Sequence, residues 1–207
     1  MNFEYSALSD VGRHRANNED AVMVDPARGI VVLADGMGGY SAGEVAADMA
    51  VNLVGSELAQ WLEDAPERVS MAAVRQAMLV CVENANQAIL GAALANPQYL
   101  GMGTTLVVGV FRGHRLILGH VGDSRCYRLR GGELRQITRD HSWLQEQIDL
   151  GLLTPAQAAV SGLGNLVTRA LGVDGEAHAE INEFAVEPQD LFILCSDGLS
   201  DMVGDEG

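Results

Sequence analysis

The chain has 207 residues, 48% hydrophobic and 20% charged, which is globular composition with enough length for one well-cored domain and little room for two. Thirteen basic residues, all arginine, face 28 acidic ones for a net charge of -15, and a field of that sign excludes nucleic acid or an anionic membrane as a broad-surface partner. Three cysteines, Cys81, Cys126 and Cys195, lie far apart without a CxxC spacing, so they read as reduced, buried and structural.

The opening MNFEYSALSD has neither a basic nor an apolar leader region, and no apolar run reaches spanning length, which predicts a cytoplasmic protein. Residues 3–9, 20–24 and 30–34 read as short strands, and the uninterrupted apolar run IVVLA suits an interior strand covered on both faces. Ser41 and Glu44 have capping-box spacing and predict a helix to about residue 63. A second helix follows from about residue 67 to 94, where Met71, Val74, Met78, Cys81, Ala85 and Ala88 draw one apolar stripe. TTLVVGVF, HRLILGHVG, SRCYRLR and GELRQIT then form an antiparallel meander punctuated by turn signals. Thr154 to Gln157 repeats the capping-box spacing with Pro155 at the first helical position, inside a glycine-containing segment of about residues 140–170 expected to be mobile. A last strand, DLFILC, runs into Asp197-Gly198. No repeat or linker divides the chain, so residues 1–207 read as a single domain.

Several carboxylates fall where strands finish. Asp35-Gly36 and Asp197-Gly198 follow interior strands, Asp123 lies in GHVGDSR between two strands, and Asp20 follows Glu19 at the edge of another. Any one of them alone is an ordinary turn-former. Together they place several hard oxygen ligands at one rim, where mutual repulsion calls for a cation. Carboxylates without a His/Cys set favour magnesium or manganese over structural zinc. Gly36 would let the backbone approach and lend a carbonyl oxygen.

The ordered set RANNED, VVLADGMGG, GMGTTLV, GHVGDSR, ITRDHS, LVTRALG and LFILCSDGL resembles the bacterial branch of the PPM/PP2C family of metal-dependent Ser/Thr phosphatases, over essentially all of the chain from Ser9 to Leu199. The resemblance implies an α+β fold, a four-layer αββα sandwich of two mostly antiparallel sheets flanked by helices. It implies that Asp35 bridges two Mg2+ or Mn2+ ions, that the Gly36 carbonyl binds one of them, and that Asp197 is a direct ligand. Asp123 would help form a third, looser site with Asp197. Glu19 and Asp20 would hold metal-bound waters or touch a metal from its outer side, and Arg15 would receive the substrate phosphate. Asp35, Glu19 and Arg15 are thus the expected catalytic set. The implied reaction is hydrolysis of phosphoserine and phosphothreonine in proteins, opposing a bacterial Ser/Thr kinase. The rival reading is a non-catalytic phosphopeptide- or metal-binding scaffold of the same fold.

Three departures from the family pattern shape these expectations. Met37 stands where many eukaryotic relatives carry a histidine proposed as general acid, which leaves the proton donor to a metal-bound or solvent water; His120 and His141 read as core or cap residues. SGLGN precedes LVTRALG where bacterial relatives often carry His-Pro and Arg-Asn pairs, in a flap-like segment, 140–170, that influences substrate choice. Family members continue past the SDGL element with a helix, an Asp-Asn pair and a last strand. The resemblance therefore implies a domain lacking the C-terminal strand, with an unpaired sheet edge, one weakened ion site and weak activity.

Overall fold

The computed structural model describes residues 2–13, 15–39, 42–66, 69–163 and 166–204. Strands β1 (Asp20–Asp25) and β2 (Ile30–Met37) form an antiparallel hairpin, and helix α1 (Ala42–Asp64) returns across it. Helix α2 (Met71–Ala95) packs beside α1 and leads to β3 (Gly103–Thr104), β4 (Leu106–Arg112) and β5 (Arg115–Val121). The chain then crosses to a second sheet with β6 (Arg125–Arg130) and β7 (Glu133–Gln136). Short helices α3 (Trp143–Asp149) and α4 (Pro155–Ala159) follow. It returns with β8 (Glu180–Ala185) to the first sheet and β9 (Leu191–Cys195) to the second, before α5 (Asp197–Ser200). The large sheet has the order β1-β2-β4-β5-β8 with β3 on β2, the small one β7-β6-β9, and every pairing is antiparallel.

Strand alternation builds two cores. Ile30, Val32 and Ala34 of β2, with Leu106, Val108, Val110, Ile117 and Val121, pack against the small residues of α1 and the stripe of α2. Val107, Phe111, Leu116 and Leu118 point the other way and meet Cys126, Phe192 and Leu194 of the small sheet. β4 is therefore covered on both faces. Phe111 anchors one end of this seam, with ring centroids 5.1 Å from Phe3, 6.1 Å from Tyr5 and 5.4 Å from Phe192.

The structure differs from the sequence reading at several points. Residues 3–9 form no strand; with β9 they line a cavity of about 820 Å³. Among the described strands β9 pairs with β6 alone. β2 runs on to Met37, because β3 pairs with its end, and Asp35 therefore lies inside the strand instead of after it. α2 begins at Met71, where the Ser70 hydroxyl accepts from the Ala73 N–H at 3.1 Å. By length and composition α2 is apolar enough to cross a membrane, contrary to the reading of the run alone, but its stripe faces the protein core. The Thr154 capping box forms in full. The Ser41 box falls outside the described residues. The meander splits between the two sheets at Gly122–Ser124.

Candidate metal centre

Asp35 alternates with the residues that face α1, so its side chain lies on the face between the sheets, near their rim. Asp20, the first residue of β1, is its cross-strand partner. Asp123 enters from the turn between β5 and β6, and Asp197 begins α5 just after β9. Both sheets thus contribute carboxylates to one place. Burial, then the charges of Asp20, Asp197 and Asp123 and a hydrogen bond to the Asp197 carboxyl, push the Asp35 carboxyl from 3.8 up to about 8. Asp123 is pushed up to about 6, chiefly by burial, with Asp197 and Asp140 adding repulsion. Without a cation, this cluster holds a proton at neutral pH instead of its full charge.

Backbone contacts fix the acids. The Gly36 N–H donates to the Glu19 carbonyl at 3.0 Å. A Cβ on Gly36 would overlap the Gly43 carbonyl, so only glycine lets α1 start this close to β2. The Ser196 hydroxyl donates to Asp20 Oδ2 at 2.8 Å, tying β1 to the residue before Asp197. Around Asp35, the Thr105 N–H and the Thr104 hydroxyl both donate to its carbonyl at 2.9 Å, and its own N–H donates to Thr105 Oγ1 at 3.0 Å.

The sequence-predicted residues therefore divide. Asp20, Asp35, Asp123 and Asp197 converge, and Glu19 and Gly36 are paired through their backbones beside them. Arg15 lies exposed on the segment leading into β1. Missed in the sequence were Thr104, Thr105, Ser124 and Ser196, which hold the acids; Asp201, by sequence too close behind Asp197 to stand in easily for a ligand, has its carboxyl pushed up by burial and by Asp197. Asp201 stands four residues after Asp197, at the C-terminal end of the short α5.

Asp123, Asp197 and Asp201 border a cavity of about 510 Å³, whose opposite wall is Leu144, Ile148 and Ala158. Between them Arg125 grips Asp140 with three hydrogen bonds of 2.7–3.0 Å. The ends of the 140–170 segment are tied down: the Trp143 N–H donates to the Leu166 carbonyl at 2.8 Å, and the Thr168 N–H to the His141 carbonyl at 2.8 Å.

His120, His141 and Glu180 form a second gathering, with one ligand-type atom from each within 4.8 Å of the others. The hydrogen bonds argue for a structural role. His141 Nδ1 accepts from the Gly122 N–H at 3.2 Å, so the ring's hydrogen sits on Nε2, 3.8 Å from Glu180 and without lone pair for an ion. His120 Nε2 donates to the Arg139 carbonyl at 2.8 Å, and the two rings stack at 4.6 Å and 14°. Burial, followed by the charges of His120 and Arg169, lowers His141 to about 4, so its imidazole is neutral.

The antiparallel two-sheet α+β fold draws hard carboxylates from both sheets to one rim, a donor set suited to divalent cations. Residues 12–207 match the family described as protein phosphatase 2C, and the chain belongs to that family. It is 43% identical over 202 residues to the serine/threonine protein phosphatase PstP of Mycobacterium tuberculosis, covering 98% of this chain and 37% of that protein. It is 38% identical over 205 residues to the protein phosphatase PhpP of Streptococcus pneumoniae, covering 97% of this chain and 80% of PhpP. The catalytic domain of PstP in complex with two manganese ions superimposes with a TM-score of 0.81 at 42% identity, covering 98% of this chain and 81% of that one.

Proposed function

We propose that this chain hydrolyses phosphoserine and phosphothreonine in proteins with the help of Mg2+ or Mn2+. The observation that carries the reading is the convergence of Asp20, Asp35, Asp123 and Asp197, where burial and then the neighbouring charges lift the Asp35 carboxyl to about 8. Such crowding is relieved by cations, and the donors are the oxygen set that hard divalent ions prefer. Family membership and the two manganese ions of the PstP catalytic domain support the same reading.

In this reading Asp35, the Gly36 carbonyl and Asp197 would hold two core ions, and Asp123 with Asp197 would serve a third. Asp20 and Glu19 hold waters on the outer side. Bound ions of this class acidify a water and neutralise charge developing on a phosphoryl group. The chain's part is to surrender the proton held by the Asp35 carboxyl, hold the acids in register and orient the phosphate. Arg15 receives that phosphate with its planar fork of donors. No protein nucleophile is called for; all three cysteines are buried, and burial pushes the Cys81 thiol up to about 12. The 140–170 segment, which walls the 510 Å³ cavity beside the acids, would choose among phosphopeptides. A cognate Ser/Thr kinase and a cytoplasmic setting belong to the same proposal.

The test is phosphate release from a phosphothreonine peptide with millimolar Mn2+, with EDTA, and by Asp35→Asn. Metal-dependent turnover lost in that variant is the expected outcome. Arg15→Ala should lower kcat/KM by about 10- to 100-fold, the worth of a charged hydrogen-bond partner, with Arg13→Ala near the unaltered rate. Bound Mn2+ without turnover would overturn the enzyme reading in favour of a phosphopeptide-binding scaffold.

A further inference from the structure

Asp35 and Asp123 come from different strands, and a pair of buried hydroxyls joins the places that hold them. Flanking register puts Asp35 opposite Thr105, since Leu33 pairs with Val107 and Gly36 with Thr104. At this rung the Thr105 N–H donates to the Asp35 carbonyl, but the return bond runs from the Asp35 N–H to the Thr105 hydroxyl instead of the Thr105 carbonyl. The same oxygen lies 2.7 Å from Ser124 Oγ, one residue past Asp123. Thr105 and Ser124 are 2% and 1% exposed, so water does not compete for this contact.

On the other side of Asp123, Gly122 is held by His141, whose N–H donates to the Gly122 carbonyl at 2.9 Å and whose Nδ1 accepts from the Gly122 N–H. Gly122 has φ +100, and a Cβ there would press on the Thr105 side chain at 2.7 Å, so the turn closes directly on Thr105. Asp123 is thus suspended between two pinned neighbours. A β-branched threonine is stiff about χ1 and offers its hydroxyl from one position.

We propose that Thr105 and Ser124 act as a strut between β2 and the β5–β6 turn, setting how Asp35 and Asp123 stand relative to each other and hence the affinity of the cluster for divalent ions. The inference rests on reading these acids as metal ligands. Neither hydroxyl touches the ions; both are positioning groups that act through the residues they hold.

The experiment is Mn2+ binding followed by the EPR signal of the free ion, with the melting temperature measured alongside. Ser124→Ala keeps the Asp35 N–H bond and removes only the strut; it should weaken binding about tenfold, the lower end for groups that orient ligands. Thr105→Val should weaken it at least as much, Thr105→Ser should restore binding to within about twofold, and Thr105→Val with Ser124→Ala should be no weaker than Thr105→Val alone, because the two act through one link. Thr138→Val is the control: its hydroxyl accepts from the Cys126 N–H at 2.9 Å away from the acids, so it should lower the melting temperature and leave Mn2+ affinity unchanged. Wild-type affinity in Ser124→Ala overturns the strut, even if Thr105→Val does not fold. Mn2+ binding without peptide hydrolysis by the unaltered chain would sink the phosphatase reading alone, whereas no Mn2+ binding at millimolar concentration would overturn both.

Discussion

Asp35→Asn should make the ion-free protein more stable while removing its response to Mn2+. The Asp35 carboxyl titrates near 8 in the folded chain against 3.8 ordinarily. Between those values the folded state keeps a proton that the unfolded chain has released, so this group's contribution to stability falls as pH rises through the window. At pH 7, about 1.4 kcal/mol for each pH unit of the gap gives a ceiling of about 4 kcal/mol. Asp20, Asp123 and Asp197 share the repulsion and can turn apart, so about half of that, ~2 kcal/mol or about 4–8 °C in Tm, is the expected gain. Asparagine leaves intact the three backbone contacts to Thr104 and Thr105. The assay is urea and thermal unfolding of both proteins in EDTA at pH 5, 7 and 8, then with Mn2+. The stability difference between variant and parent should widen from pH 5 to pH 8, and Mn2+ should raise the Tm of the parent only. A difference that stays constant or shrinks with pH would refute the reasoning.

Gly36→Ala forces a Cβ onto the Gly43 carbonyl at the start of α1; backbone cannot yield as a side chain does, so a loss of more than about 3 kcal/mol and loss of Mn2+ binding are expected, read by chemical unfolding and EPR. Asp140→Ala strands the half-buried Arg125 guanidinium and should cost about 3 kcal/mol by urea unfolding. Thr154→Ala removes the cap of α4 and should cost about 1 kcal/mol, with faster proteolysis between residues 150 and 163 as a local readout.

What the sequence made legible was whatever depends on local chemistry. The apolar runs of β2, β4 and β9, the α2 stripe and the Thr154 box are written in consecutive side chains, and so were the acids that cap or interrupt them. The hidden parts depend on what arrives from elsewhere. Residues 3–9 have a strand's alternation, yet they pair with no strand and line a cavity with β9. β2 outlasts its apolar run because β3, some 65 residues later, pairs with Gly36 and Met37. β8, with its mixture of Glu180, Asn182 and Glu183, earns strand geometry from β5 and not from its own composition. Thr105 and Ser124 looked like ordinary strand and turn residues, and only the 2.7 Å contact between their hydroxyls gives them a part in the site.

The two sheets are joined like the covers of a book. At one end the rings of Phe3, Tyr5, Phe111 and Phe192 act as the spine; at the other, carboxylates from both covers face each other. A cation bound at that edge would act as a clasp, and its departure would leave the carboxylates repelling one another across the seam. In hydrogen-exchange terms, the small sheet should then open as a separate unit. Amides of β6 and β9 nearest Asp123 and Asp197 would exchange first when ions leave, while those beside the aromatic spine stay as slow as the global unfolding allows.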